Sequence, residues 1–207
     1  MRIIIGNMGS GPSAGRTLKA MFEDRRSVFV DLLKWDLPVL DGRFEIDQFD
    51  DEHSVYLIVA SEDGDHLGSA RLLPTTRPHI LGSLFPELSA APPPSGPDTF
   101  EITRFCLSRR QDAAARKATR NALVSALACY ALDTGIRTYT GVAEMAWLQQ
   151  ILAFGWDCRP LGPPSRFDSG MIGGLAISIR PDTPSLLEAN GIWVPLEFPQ
   201  LQVREAA

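Results

Sequence analysis

Cysteine is scarce in this sequence, and its spacing excludes the usual cysteine-built frameworks. The 207 residues include three cysteines, Cys106, Cys129 and Cys158, with no Cys-x-x-Cys pair among them. An odd number of widely spaced cysteines argues against a disulfide framework or a zinc knuckle. It is typical of a reducing compartment, so we expect a cytoplasmic protein. The three histidines are also far apart, and the sequence predicts no metal site.

Long apolar runs and an excess of basic charge are also missing. The apolar stretch near the start, Ile3–Ile5, is much shorter than the roughly 7–15 residues of a secretory signal, and no run approaches the roughly 18 residues of a membrane span. Lys and Arg total 20 against 25 Asp and Glu, a net charge of −5 that is unlike the basic footprint of a nucleic-acid-binding protein. We therefore expect no membrane span and no nucleic-acid partner.

Composition and the order of the predicted elements indicate one α/β domain over residues 1–207. Apolar residues make up 44% and charged residues 22%, close to the average for globular proteins. Periodicity predicts helices at 14–34, 111–134 and 144–154, and strands at 2–5, 55–60, 67–73, 100–107, 137–142, 156–161 and 171–180. Because strands pair early and later alternate with helices, we predict a three-layer α/β/α sandwich with a mixed central sheet.

Charged residues are interleaved with aromatic ones in several segments before residue 110, including 44–51 and 100–105. A buried charge is costly unless it is paired, so the arginines and carboxylates of these segments should satisfy one another. Two interpretations stay open: a structural ion-pair network, or a polar cleft for a zwitterionic ligand. Strand alternation places Glu101 and Thr103 on one face and Arg104 on the other, unless a bulge intervenes.

The same segments resemble the acyl-homoserine-lactone synthases, the LuxI-type autoinducer synthases of bacterial quorum sensing. The resemblance runs from about residue 20 to residue 165 and is carried by Arg25-x-x-Val28-Phe29, Trp35, Glu45-Ile46-Asp47-x-Phe49-Asp50, Arg71-Leu72-Leu73-Pro74-Thr75-Thr76, Phe85-Pro86 and Glu101-x-x-Arg104-Phe105. It implies an acetyltransferase-like (GNAT) fold. It also implies an enzyme that acylates the amine of S-adenosylmethionine from an acyl thioester, then forms the lactone and releases methylthioadenosine. S-adenosylmethionine would be a substrate, and no cofactor is implied.

The resemblance also assigns roles in the N-terminal half of the chain. The S-adenosylmethionine site would be formed by Arg25, Phe29, Trp35, Asp47, Asp50, Arg71 and Arg104. The catalytic residues would be Glu101, Asp47 and Arg104. Glu101 would accept the proton of the amine, with Asp47 as the rival base or as the group that orients the amine.

The C-terminal half is expected to form the acyl-chain pocket. The candidates are Ile102, Thr140, Met145, Trp147, Leu148 and Leu152, although most of them individually also fit an ordinary core. Thr140 resembles the threonine that the family associates with 3-oxo-acyl chains.

A basic patch precedes and begins the helix predicted at 111–134. Its members, the candidates for docking of an acyl carrier, are Arg109, Arg110, Arg116 and Lys117. Cations oppose the helix dipole at an N-terminus, so a phosphopantetheine phosphate or an acidic acyl carrier protein would explain them, as would a solvated basic turn.

The acyl donor, acyl carrier protein or coenzyme A, stays open at this point. The alternative function is a GNAT-like N-acyltransferase that uses acyl-coenzyme A and a small amine, and a third is a non-catalytic binding module. Consumption of S-adenosylmethionine with release of methylthioadenosine distinguishes the first function from both.

Overall fold

The computed structural model describes residues 1–8, 12–167 and 170–196. Its strands are β1 (Arg2–Gly6), β2 (Val39–Leu40), β3 (Phe44–Glu45), β4 (Val55–Ala60), β5 (His66–Pro74), β6 (Thr99–Leu107), β7 (Thr138–Glu144), β8 (Asp157–Pro160), β9 (Ser165–Phe167) and β10 (Gly170–Ser178). All seven predicted strands are present, with each end within two residues of its predicted position. The short strands β2, β3 and β9 were not predicted because two or three residues carry no readable alternation.

The helices are α1 (Pro12–Arg25), α2 (Ile80–Leu84), α3 (Ala113–Thr134), α4 (Met145–Leu152) and α5 (Thr183–Ala189), with a 3₁₀ turn at Pro86–Leu88. The helix predicted at 14–34 is α-helical only in its first part, because α1 continues as a π-helix over Arg26–Leu32. Asp112 caps α3 by accepting from Ala115 N, and Gly135 ends it with φ of 76°. None of the described helices is both long and apolar enough to cross a bilayer.

The main sheet has the order β1-β4-β5-β6-β7-β10-β8, and β9 pairs with β10. Neighbouring strands are antiparallel except β6 and β7, which are parallel. Helix α1 packs on one face through Leu18, Met21 and Phe22, and α3 packs on the other through residues such as Leu123 and Leu127. The predicted α/β/α sandwich with a mixed sheet is confirmed. That residues 1–207 form one domain stays a prediction.

Candidate active site

The site is a cleft between the two parallel strands in the middle of the sheet. Strands β6 and β7 pair over three positions, the last being Glu101 with Thr140, and then separate. Beyond this point an open cavity of about 1430 Å³ lies between them, lined by residues of both strands, α3, α4 and the segment after the π-helix. Where β6 and β7 no longer pair, their facing backbone N–H and C=O groups have no partner strand. The cavity therefore combines apolar walls with backbone hydrogen-bond donors.

Three arginines and three carboxylates form a closed ion-pair network against one side of this cleft: Arg25, Glu45, Asp47, Asp50, Arg71 and Arg104. The six formal charges cancel. Each of these side chains is at most 7% exposed, so each one depends on its partners for solvation.

Asp50 is the centre of the network. It receives both terminal nitrogens of Arg25 at 2.8 Å and Nη1 of Arg71 at 2.9 Å, together with the Tyr56 hydroxyl at 2.8 Å and the Asp47 backbone N–H at 2.9 Å. Burial alone would raise the pKa of Asp50, but these arginines lower it well below its usual range. The carboxylate is therefore permanently ionised at neutral pH.

Asp47 and Arg104 form the face of the network that reaches the cavity. Arg104 Nη2 donates to Asp47 Oδ2 at 2.6 Å and to Glu45 Oε1 at 3.1 Å, while Arg71 binds Asp47 with two hydrogen bonds of 2.6 and 3.0 Å. Both Asp47 and Arg104 line the cavity. Arg25, Asp50 and Arg71 lie behind them and do not line the cavity, so in this structure they position its wall. That these three residues bind S-adenosylmethionine stays a prediction.

A bulge in β6 decides which way Arg104 points. Ser69 pairs with Cys106 and Arg71 with Thr103, so Arg104 and Phe105 together oppose the single residue Ala70. Arg104 has a φ of 48°, a left-handed conformation that costs a non-glycine residue about 1–3 kcal/mol. The bulge turns Arg104 to the same face of β6 as Thr103. Regular alternation would have placed the two side chains on opposite faces, so the predicted exception, a bulge, is what the structure shows.

Glu101 lines the cavity where β6 and β7 separate, and it stands apart from the ion-pair network. Its two carboxylate oxygens accept the backbone N–H groups of Ile80 and Leu81, both at 2.7 Å. Burial raises the pKa of Glu101 to about 7, even though the two N–H groups and the nearby arginines favour the ionised form. A carboxylate with this pKa can accept and return a proton at neutral pH.

Two stacked aromatic rings form an aromatic wall of the cleft next to the end of β7. The indole of Trp35 stacks on Phe29 with ring centroids 5.0 Å apart, and the Arg104 guanidinium lies 5.6 Å from the centre of the Phe29 ring. Phe29 lies within the π-helix, a rare conformation that is frequent at functional sites. Trp35 Nε1 donates to Glu144 Oε1 at 3.1 Å, which joins this wall to the end of β7.

The predicted acyl-pocket residues divide into two groups. Ile102, Thr140 and Trp147 line the cavity. Met145, Leu148 and Leu152 do not: Leu148 is buried in the main core, Met145 packs against that core, and Leu152 is 36% exposed on the surface. Trp147 and Ile151 lie on the face of α4 that lines the cleft. Met145, Leu148 and Leu152 lie on other faces of the same helix, so they do not reach the cavity.

The predicted basic patch also divides. Arg116 and Lys117, in the first turns of α3, line the cavity, and so does Arg120 one turn further on. Arg109 and Arg110 precede the helix, which begins at Ala113. They lie outside the cavity lining, and Arg110 is bound to Asp24 by two hydrogen bonds of 2.8 and 2.9 Å.

Several residues of the site were not predicted from the sequence. Glu45 bridges Arg25 and Arg104, Thr103 accepts from Arg71 at 2.9 Å, and Glu144 accepts from Trp35. The acidic segment 44–51 was a signal for Glu45, whereas nothing local distinguishes Glu144 from a surface residue. Among the described residues, no group of three or more His, Cys, Asp or Glu could hold a metal ion.

A mixed sheet whose central parallel strands separate over a cleft, with a carboxylate at the point of separation, defines an acyltransferase-type fold. A putative N-acetyltransferase from Lactobacillus plantarum shares this fold with a TM-score of 0.58 at 14% identity, over 87% of this chain and all of that one.

The comparison with closer relatives narrows the class. The family model described as autoinducer synthase matches residues 13–173. Acyl-homoserine-lactone synthases from Rhizobium etli and Ralstonia nicotianae are 38% and 37% identical, covering 84% and 70% of this chain and 83% and 73% of those proteins. The chain therefore belongs to the autoinducer synthase family, the acyltransferases that make acyl-homoserine lactones.

Two solved structures support the same assignment. The coenzyme A-dependent acyl-homoserine lactone synthase MesI superposes with a TM-score of 0.82 at 28% identity, over 94% of this chain and 98% of that one. BjaI, a coenzyme A-dependent synthase solved with S-adenosylmethionine and isopentyl-coenzyme A, gives 0.81 at 29% identity, over 97% and 95%.

Proposed function

We propose that this enzyme uses Glu101 as the base that prepares the amine of S-adenosylmethionine for acylation. The observation that carries the proposal is the position of Glu101, which lines the cavity where β6 and β7 separate and has a pKa of about 7. Asp47 is less well placed to reach the amine, because both of its carboxylate oxygens already accept hydrogen bonds from Arg71 and Arg104. Asp47 and Arg104 instead orient the ammonium and carboxylate of the substrate.

The chemical steps use these groups in turn. Glu101 accepts a proton from the ammonium group, the neutral nitrogen attacks the thioester carbonyl, and the carbon–sulfur bond breaks as the thiol leaves with a proton. Backbone N–H groups of β6 that lack a β7 partner stabilise the oxyanion. The methionyl carboxylate then attacks its own γ-carbon, and neutral methylthioadenosine leaves, a step that needs chiefly the correct conformation.

The acyl chain occupies the apolar part of the cavity between α3, α4 and β7. Thr140 lines this part, its side chain is fully buried, and its hydroxyl has no partner among the described residues. A buried hydroxyl without a partner is costly. The preferred chains therefore carry an oxygen at the 3-position for Thr140 to bind, as the resemblance to the family's 3-oxo threonine suggests.

The donor enters past the cations of α3. Arg116, Lys117 and Arg120 lie along the cavity margin and would meet the phosphate of a phosphopantetheine arm, which coenzyme A and acyl carrier protein share. The coenzyme A dependence of MesI and BjaI supports the first donor. The reaction would take place in the cytoplasm, where these substrates are found.

Replacing Glu101 by Gln tests the proposal. We expect turnover to fall by about 10²–10⁴-fold, because the general base is lost while the shape is kept. The assay is mass-spectrometric quantification of methylthioadenosine and lactone formed from S-adenosylmethionine with acyl-coenzyme A and, in parallel, acyl carrier protein. Glu87→Gln, an exposed change in the neighbouring 3₁₀ turn, is the matched control. Unchanged turnover in Glu101→Gln would exclude Glu101 as the base.

A further inference from the structure

The ion-pair network leaves one charge of the substrate without a counterpart. Its three arginines and three carboxylates sum to zero, and in the proposed function Asp47 and Arg104 hold the amino-acid end of S-adenosylmethionine. That end is itself a zwitterion. The sulfonium adds a further positive charge, which needs a separate anion or aromatic face when it leaves water. A counter-ion for the sulfonium rests on the proposed function, because it requires S-adenosylmethionine to be the ligand of this cavity.

Four carboxylates line the cavity: Asp36, Asp47, Glu101 and Glu144. Asp47 is paired with two arginines, and Glu101 holds two backbone N–H groups. Asp36 is exposed to solvent, so its field is largely screened. Glu144 is the partly buried one, and its hydrogen bond comes from a neutral donor, the Trp35 indole.

Among the described residues, Glu144 is therefore a cavity carboxylate without an ion-pair partner. Within the described residues, no cationic side chain lies within 4.0 Å of its carboxylate. The indole that binds Oε1 stacks one face on Phe29, whose ring is already contacted by Arg104, and the other face of the indole can attract a cation. A carboxylate beside an indole is a site that fits a desolvated, weakly hydrated cation such as a sulfonium.

We propose that Glu144 is the counter-ion of the sulfonium of S-adenosylmethionine, with the indole of Trp35 as the aromatic face beside it. The Trp35 hydrogen bond fixes the carboxylate at the edge of the aromatic wall, four residues along β7 from Thr140. Lactone formation removes the sulfonium charge. Glu144 therefore strengthens binding of the substrate more than it stabilises the later transition state, and it favours exchange of the neutral product for a new cationic substrate.

The test compares two ligands that differ in the sulfonium alone. S-adenosylmethionine and S-adenosylhomocysteine share the nucleoside, the ammonium and the carboxylate, but the second has a neutral thioether. The variant Glu144→Gln keeps an oxygen acceptor for the Trp35 N–H. In calorimetric titration, its Kd for S-adenosylmethionine should be about tenfold higher than that of the wild type, and its Kd for S-adenosylhomocysteine should change by less than about twofold. In steady-state assays the loss should appear in KM rather than in kcat.

Asp36→Asn is the matched control, because Asp36 is also a cavity carboxylate but is exposed. It should leave the preference between the two ligands unchanged. An equal loss for both ligands in Glu144→Gln would overturn the proposal and assign Glu144 to positioning Trp35. If Asp36→Asn also weakened binding of S-adenosylmethionine alone, the proposal would be overturned, because the preference would then come from the summed negative charge of the cavity rather than from Glu144.

The wild-type enzyme provides an independent check that needs no variant to fold. It should bind S-adenosylmethionine more tightly than S-adenosylhomocysteine, and the absence of that preference would overturn the role of Glu144. Failure of the proposed function would look different. In that case turnover would be unchanged in Glu101→Gln, or the wild-type enzyme would bind neither ligand and would release no methylthioadenosine.

Discussion

The buried ion-pair network predicts an unusually large effect for one conservative substitution, Asp50→Asn. Asp50 accepts hydrogen bonds from Arg25, Tyr56 and the Asp47 backbone and is ion-paired with Arg71, all at 2.8–2.9 Å. An asparagine amide is neutral and has one acceptor oxygen and an NH₂ group. The network would then hold three positive charges against two negative ones, and the amide N–H groups would face the N–H donors of the arginines. Removing one partner of a buried pair costs about 3–5 kcal/mol.

For a chain of this size, that loss lowers the Tm by roughly 6–20 °C. Thermal unfolding followed by circular dichroism at pH 7 measures it. Asp133→Asn is the control, because it makes the same chemical change on the exposed face of α3 and should alter stability by less than about 0.5 kcal/mol. A Tm of Asp50→Asn within about 2 °C of wild type would refute the argument that the six charges act as one unit.

The pH dependence of this difference has a definite sign. The pKa of Asp50 is lowered in the fold from its ordinary value of 3.8. A lowered carboxyl pKa contributes stability above the unfolded value and loses it as the pH falls through the folded value. The gap in Tm between wild type and Asp50→Asn should therefore be full at pH 7 and should narrow only below about pH 4.

Three further predictions concern single groups. Because Glu101 must be ionised to act as the base and has a pKa of about 7, kcat/KM should rise as the pH increases through 7, and a flat profile from about pH 5.5 to 8.5 would contradict its role. Burial lowers the pKa of His66, so acid below its ordinary 6.5 should destabilise the wild type by protonating the unfolded state. In His66→Gln the fall of the Tm between pH 7 and 5.5 should be smaller, and an identical fall would disprove a buried neutral His66. Gly155→Ala should lower the Tm more than Gly135→Ala, since both have positive φ but the Gly155 methyl would overlap Asn190, and equal effects would show that the neighbour simply moves.

Sequence patterns predicted the elements of this fold well where a periodicity extends over a full strand or helix. The strand at 55–60 and the helix closed by Gly135 are examples, since a run of β-branched and other apolar residues and a glycine C-cap are local signals. The π-helix at Arg26–Leu32 was missed because a change from i→i−4 to i→i−5 hydrogen bonding leaves the apolar spacing almost unaltered. Short elements such as α2 were missed for lack of length.

The site shows the same division between local and long-range information. The interleaving of charges with aromatic residues was enough to predict that arginines and carboxylates pair, because burying them singly is too costly. It could not say that Arg25 and Arg71 lie behind Asp47 and Arg104, since that order depends on where α1 and β5 pack. Leu148 and Leu152 illustrate the same limit, because an apolar helix position predicts burial or exposure only after the neighbouring layer is known.

By itself, the sequence determined the α/β class, the family resemblance and the charge balance of the site, all of which depend on residue types and on spacing along the chain. The tertiary structure alone decided three things: the bulge that turns Arg104, the separation of β6 and β7 that opens the cavity, and the pairing of Trp35 with Glu144. These features join residues up to 109 positions apart, and such contacts arise from packing between layers, which no local pattern records.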